Sequence, residues 1–246
     1  KPVTMRYLAI CLGLLLALTM PVRAADRLAG AGWSMSVTWP KGAGPFASVI
    51  LLPGCSGNGP AAVAAGLRDH ARKLASNGYV AGILDVLGGG SICANLAALG
   101  ARESSAAAAA TAAAKKLAQD GRIDRSRMGF IGQSFGGSVA LRLAAGTSPF
   151  KAIVAYYPWC RAGTGRPRVP VLIMTGSADT WTPVSRCKGL GAQVVTYPGA
   201  VHSFDLRTLK RQTVKGVGGD YPVAGDAAAA SASQRRYLSF FARNLR

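Results

Sequence analysis

The sequence predicts an α/β fold, with one mostly parallel central sheet and helices on both faces. Three observations carry that prediction. Short apolar runs alternate with helical patterns along the chain, as strand–helix–strand units require. One of those runs ends at a serine among glycines and passes straight into a helix. The 246 residues, half of them hydrophobic and 16% charged, supply one sizeable core and argue against disorder.

The elements follow in order. Residues 33–39 read as an opening strand. Residues 47–52 are a buried apolar strand ended by Pro53-Gly54. A helix over residues 61–76 stops at Asn77-Gly78. Residues 79–86 form the next strand. Residues 101–119 are Ala-rich and helical, closed by Asp120-Gly121. The low-complexity tract 106–114 within them reads as a helix face. Residues 128–131 are a strand, and residues 138–145 are the helix after it. Strands follow at 152–157, ended by Pro158, at 171–175, introduced by Pro170, and at 193–197. The glycine-rich segment 216–225 reads as a loop. Residues 227–244 close the chain as a helix. No internal repeat and no cap-sized insertion is present.

Residues 1–24 read as a secretion signal. Arg6 supplies the positive flank, residues 8–20 the apolar run, and Pro21-Val22-Arg23-Ala24 a small-residue cleavage site after Ala24. Lys1 to Thr4 stand upstream of Met5. The apolar run is shorter than the roughly 20 residues of a spanning helix, so a membrane anchor is the lesser alternative. The expectation is a single mature domain, residues 25–246, periplasmic or secreted, with no stable membrane insertion after cleavage.

Beyond the signal, which holds Cys11, four cysteines remain: Cys55, Cys93, Cys160 and Cys187. An even count in an exported chain argues for disulfides. Cys55–Cys93 and Cys160–Cys187 are the favoured pairs, because each joins loops that follow neighbouring strands. Metal ligation lacks support, since there is no C-x-x-C spacing and no clustered histidine.

The formal charge of +19 invites a nucleic-acid reading. The signal argues against it, and aromatics do not interleave with the basic residues as a base-stacking groove requires. Scattered Arg and Lys read as a solvated surface, with at most a weak attraction to an anionic envelope or acidic polymer.

The chemistry centres on Gly132-Gln133-Ser134-Phe135-Gly136-Gly137. A strand turning into a helix at a serine strains that residue and exposes its hydroxyl, and the glycines let the two elements approach. In a chain with 31 glycines the pattern needs support from its surroundings. A serine hydroxyl needs a base, and the base needs an orienting acid. The chain has two histidines. His70, inside the 61–76 helix, reads as a half-exposed helix residue. His202, in a turn-rich loop after the last strand, reads as the base. Asp179, four residues past the strand ending at Thr175, reads as the acid, against a turn or N-cap aspartate. Asp205 is its rival and reads as a local turn or surface residue. The order Ser134, Asp179, His202 is that of α/β-hydrolase triads. The oxyanion donors are expected at the backbone N–H of Phe135 and of Cys55, with Ser56 as the alternative to Cys55. Trp159 and Trp181, after strand ends on the same side, line a substrate pocket or pack in the core.

These blocks resemble the dienelactone hydrolase family, and more narrowly its exported members. The likeness rests on Leu51-Leu52-Pro53-Gly54-Cys55-Ser56-Gly57, Gly78-Tyr79-Val80-Ala81, the Ser134 block, Asp179-Thr180-Trp181-Thr182-Pro183 and Tyr197-Pro198-Gly199-Ala200-Val201-His202-Ser203-Phe204. It implies an α/β-hydrolase fold without a large cap, a triad at Ser134, Asp179 and His202, the two cysteine pairs above, and no cofactor. The enzymes that name the family use a cysteine nucleophile. Ser134 in its place implies a general esterase acting on a small ester or lactone. Relatives often begin the early loop with His-Gly, where this chain has Pro53-Gly54. A serine peptidase of the same fold and a non-catalytic binding protein on this scaffold are the rival expectations.

Overall fold

A computed structural model describes residues 26–161 and 165–246, apart from the Leu96 side chain. The signal expected at residues 1–24 lies outside the described residues. No described helix is long and apolar enough to cross a membrane.

The chain order is β1 (Asp26–Gly30), β2 (Trp33–Thr38), β3 (Phe46–Leu52), α1 (Ala61–Ala75), β4 (Val80–Asp85), α2 (Leu96–Leu117), β5 (Ile123–Gln133), α3 (Phe135–Ala145), β6 (Ala152–Tyr156), β7 (Val171–Gly176), β8 (Gln193–Tyr197), β9 (Gln212–Gly216), β10 (Gly219–Val223) and α4 (Ala227–Asn244). Eight strands make the main sheet in the order β1-β2-β4-β3-β5-β6-β7-β8. β4 to β8 and β3 are parallel, and β1 and β2 run antiparallel at one edge. This is the α/β-hydrolase architecture that the sequence predicts.

Side-chain alternation sorts the buried strands between two cores. Val49 and Leu51 of β3 cluster with Leu67 and Leu74 of α1 and Phe241 of α4. Ile50 and Leu52 cluster on the other face with Ala110 and Ala113 of α2 and Val139 of α3. Each such aliphatic side chain contributes about 1.5–3 kcal/mol on burial. The alanine tract of α2 is therefore a packing face, small enough to lie close to the sheet.

Topology decides where a site can form. After β3 the chain passes through α1 to β4 on one side, then through α2 to β5 on the other side of β3. The loops after β3 and β5 consequently part company, leaving a crevice beyond the strand ends. Ligands of open α/β sheets bind at such a switch point. Gly54-Cys55 and Ser134 occupy those two loops.

Several elements differ from the sequence reading, among them β5, which starts at Ile123 ahead of residue 128, and α3, which starts at Phe135 ahead of residue 138. β1 precedes the expected opening strand and pairs with β2 in register Leu28↔Met35. Its DRLAG sequence carries no apolar run because it is a largely exposed edge strand. α2 starts at Leu96, ahead of residue 101, with the Asn95 side chain accepting from the Ala98 N–H at 2.9 Å. The segment expected to be a loop at 216–225 contains most of a hairpin, β9–β10. Val217 and Gly218 make its turn, with Gly218 at φ 85°.

Candidate active site

Ser134 stands between β5 and α3 with φ 52° and ψ −112°. The glycines around it are set by close approach. A Cβ on Gly132 would lie 1.9 Å from the Gly136 carbonyl oxygen, and one on Gly136 would lie 2.3 Å from that of Leu52. Only glycine lets strand, turn and helix meet this tightly. Three non-glycine residues have positive φ among the described residues: Ser134, Tyr157 at 36° and Ser203 at 67°. All three lie at one place. Such strain persists only where the surroundings over-determine it, and it concentrates at functional sites.

The structure brings the three residues expected to form the triad into one line. His202 Nε2 lies 3.0 Å from Ser134 Oγ. His202 Nδ1 lies 2.8 Å from Asp179 Oδ2. An ionised carboxylate only accepts, so Nδ1 carries the proton and Nε2 presents its lone pair to the serine hydroxyl. His202 is buried beneath the rings of Tyr157 and Trp181, with centroids at 4.4 Å and 4.8 Å.

Asp179 does two things at once. Its Oδ1 accepts from the N–H groups of Trp181 and Thr182, both at 2.9 Å, which closes a turn. Its Oδ2 faces His202 and also lies 2.9 Å from the Thr182 hydroxyl. The turn reading and the acid reading of this residue thus describe different oxygens of one carboxylate. Burial pushes the Asp179 carboxyl up, but His202 and the Thr182 donors outweigh it and hold it below the usual range. Thr182, whose hydroxyl also reaches the Tyr157 carbonyl at 3.0 Å, was not singled out from sequence. The Asp-x-Trp-Thr spacing of an Asx turn was the available signal.

The two disulfides frame this site. Cys55–Cys93 joins the loops after β3 and β4, and Cys160–Cys187 joins the loop after β6 to a 3₁₀ turn, Val184–Cys187, after β7. Each pair of strands is adjacent in the sheet. Gly54 packs so closely that a Cβ on it would lie 3.1 Å from the Ser134 Cβ. Cys55, next in the chain, lines the same cleft as Ser134 and Phe135. The Phe135 N–H opens α3 and has no carbonyl behind it in the helix to bond. Trp159 and Trp181 both line the cleft. Trp181 stacks on Tyr221 of the β9–β10 hairpin, with centroids 4.9 Å apart and planes 4° apart.

Two expectations are corrected. His70 is completely buried, where the sequence suggested a half-exposed helix residue. Asp205 is buried as well and is no surface residue. His70 Nε2 lies 2.8 Å from Asp205 Oδ2. Gln133 Nε2 donates to the same oxygen, and the Tyr157 hydroxyl donates to Oδ1 at 2.6 Å. Burial and the Asp205 carboxylate push the Tyr157 phenol well up, so it remains a donor. The physical reason was present in the helix pattern. Leu67, His70, Ala71 and Leu74 fall on one face of α1, so His70 shares the inward stripe.

The fold is that of an α/β-hydrolase, with a serine at the turn between β5 and α3. The match to the dienelactone hydrolase family model spans residues 35–245, and the chain belongs to that family. Among curated proteins, Cutinase 2 of Thermobifida cellulosilytica is 29% identical over 150 residues, covering 61% of this chain and 54% of the relative. Cutinase cut1 of Thermobifida fusca is also 29% identical over 150 residues, covering 61% of this chain and 44% of its own length. The chain thus spans about half the length of the curated relatives it matches. Among solved structures, a dienelactone hydrolase-like promiscuous phosphotriesterase from metagenomic libraries superposes with TM-score 0.71 at 24% identity, covering 91% of this chain and 98% of that one. Apo esterase 2 of Thermogutta terrifontis superposes with TM-score 0.65 at 16% identity, covering 93% and 97%. At these identities the two structures speak for the fold.

Proposed function

We propose that this chain is a carboxylic ester hydrolase that works through Ser134, His202 and Asp179 by way of an acyl-enzyme. The observation that carries the reading is the contact of Ser134 Oγ with His202 Nε2 at 3.0 Å, on a residue held at φ 52°. The cutinase relatives and the family membership support the same reaction class.

In the proposed cycle Ser134 Oγ attacks the ester carbonyl while His202 Nε2 takes its proton. Asp179 keeps the imidazole in the required tautomer and stabilises its charged form. The N–H groups of Phe135 and Cys55 receive the developing oxyanion, each donor contributing roughly 10²–10³ in rate. His202 then protonates the departing alcohol oxygen. Water, deprotonated by the same histidine, attacks the acyl carbon and releases the acid with Ser134 restored. These residues complete the cycle without a cofactor.

The domain and location follow as part of the proposal. Residues 1–24 act as an export signal, residues 25–246 fold as one hydrolase domain, and the protein works in the periplasm or outside the cell. The two disulfides fit an oxidising compartment. Without Lys1, Arg6 and Arg23 of the signal the formal charge is 19 − 3 = +16, which gives the protein at most a weak attraction to anionic polymers.

A fluorophosphonate probe tests the central residue. The folded protein is labelled, and Ser134→Ala is not. Equal labelling of the variant would sink the reading. Faster cleavage of a dipeptide amide than of a simple ester would transfer it to a peptidase.

A further inference from the structure

Ser134 lies where two cavities of unequal size meet. One, of about 60 Å³, has Leu99, Phe135, Trp159 and Val217 in its wall, together with the Glu103–Arg161 ion pair at 3.1 Å. The other, of about 300 Å³, is walled by Pro60, Val63, Leu206, Leu209 and Val214. Cys55, Ser134 and Trp181 border both cavities. His202 borders only the larger one.

That asymmetry orients a bound ester. The leaving oxygen must face the group that protonates it, which is His202. The alcohol half therefore lies in the larger cavity, and the acyl half falls to the smaller. The acyl cavity has about a fifth of the room of the alcohol cavity. We propose, resting on the serine-hydrolase reading above, that the substrate is an open-chain ester whose acyl group is short and whose alcohol is the bulkier half.

Trp181 fixes the partition. Its indole is held by the Tyr221 stack on one side and lies against Gly216, where a Cβ would come within 2.5 Å of the ring. The hairpin that carries both residues also contributes Val217 to the acyl cavity and Val214 to the alcohol cavity. β9–β10 thus contributes wall to both halves.

The test is a series of 4-nitrophenyl esters, from acetyl to octanoyl, read as kcat/KM alongside fluorophosphonate labelling. The ratio peaks between acetyl and butyryl and falls roughly 10-fold or more by octanoyl. Leu99→Ala, which opens only the acyl cavity, raises the octanoyl-to-acetyl ratio. In a second arm, acetate esters of cyclohexanol and methanol are compared, and the cyclohexyl ester has the higher kcat/KM. Labelled protein that prefers octanoyl over butyryl, or methyl over cyclohexyl acetate, has the reverse orientation and overturns the inference alone. Protein that neither labels nor hydrolyses any of these esters overturns the serine-hydrolase reading and this inference with it.

Discussion

The molecule contains two histidine–aspartate pairs with the same 2.8 Å separation, and only one of them meets a serine hydroxyl. His202 pairs with Asp179 through Nδ1, and its Nε2 reaches the Ser134 hydroxyl. His70 pairs with Asp205 through Nε2, and its Nδ1 lies 3.3 Å from the Tyr237 hydroxyl. His202 borders an open cleft, whereas His70 is 0% exposed and walled in by α1, α4 and the sheet. The pairing itself therefore does not make a base. What the second nitrogen meets, and whether substrate reaches it, decides the role. The His70–Asp205 pair instead ties α1 and α4 to the residue before Ser134, through Gln133, and to the Tyr157 ring under His202.

Changing one member of each pair separates the two roles. Asp179→Asn loses the fixed tautomer of His202, and kcat for 4-nitrophenyl acetate falls by roughly 10⁴-fold while the protein stays folded. A fall under 10-fold would place the two pairs on the same footing. His70→Ala removes one of three hydrogen-bond partners of the buried Asp205 carboxylate, the Gln133 and Tyr157 donors remaining, and urea denaturation should show a loss of about 1–3 kcal/mol. The folded variant keeps kcat within roughly 10-fold, because no reacting atom is touched. A large loss of kcat at unchanged stability would make His70 part of the chemistry.

The smallest expected effect is one of pH. The Asp179 carboxyl is held below its ordinary value of 3.8 in the folded state. Its contribution to stability is complete above that value and is lost as pH falls through the lowered one. Asp179→Asn therefore narrows the gap in stability between neutral and strongly acid solution, measured by urea unfolding at both.

These contrasts also show what a sequence carries and what it hides. Ser134, Asp179 and His202 are marked by local patterns: a glycine-flanked turn, a turn aspartate after a strand, and a histidine in the loop after the last main-sheet strand. Their order along the chain agrees with the topology that gathers them. Asp205 and His70 are 135 residues apart, and nothing local to either names the other. The α1 stripe placed His70 inward, but a histidine on an apolar helix face does not say who its partner is. The β9–β10 hairpin was hidden for another reason. Gly216, Gly218 and Gly219 stand within it and Gly225 just after it, yet Gly218 supplies its turn and Gly216 makes room for Trp181. Glycine counts read as a loop; glycine positions read as a hairpin that walls the cleft.

The central claim is that Ser134 becomes acylated. Rapid acid quenching after mixing with 4-nitrophenyl acetate, followed by peptide mapping, tests it directly. The account predicts one acetyl group on the peptide that contains Ser134, and none in Ser134→Ala. An acetyl group found on another residue, with activity retained in Ser134→Ala, would contradict it.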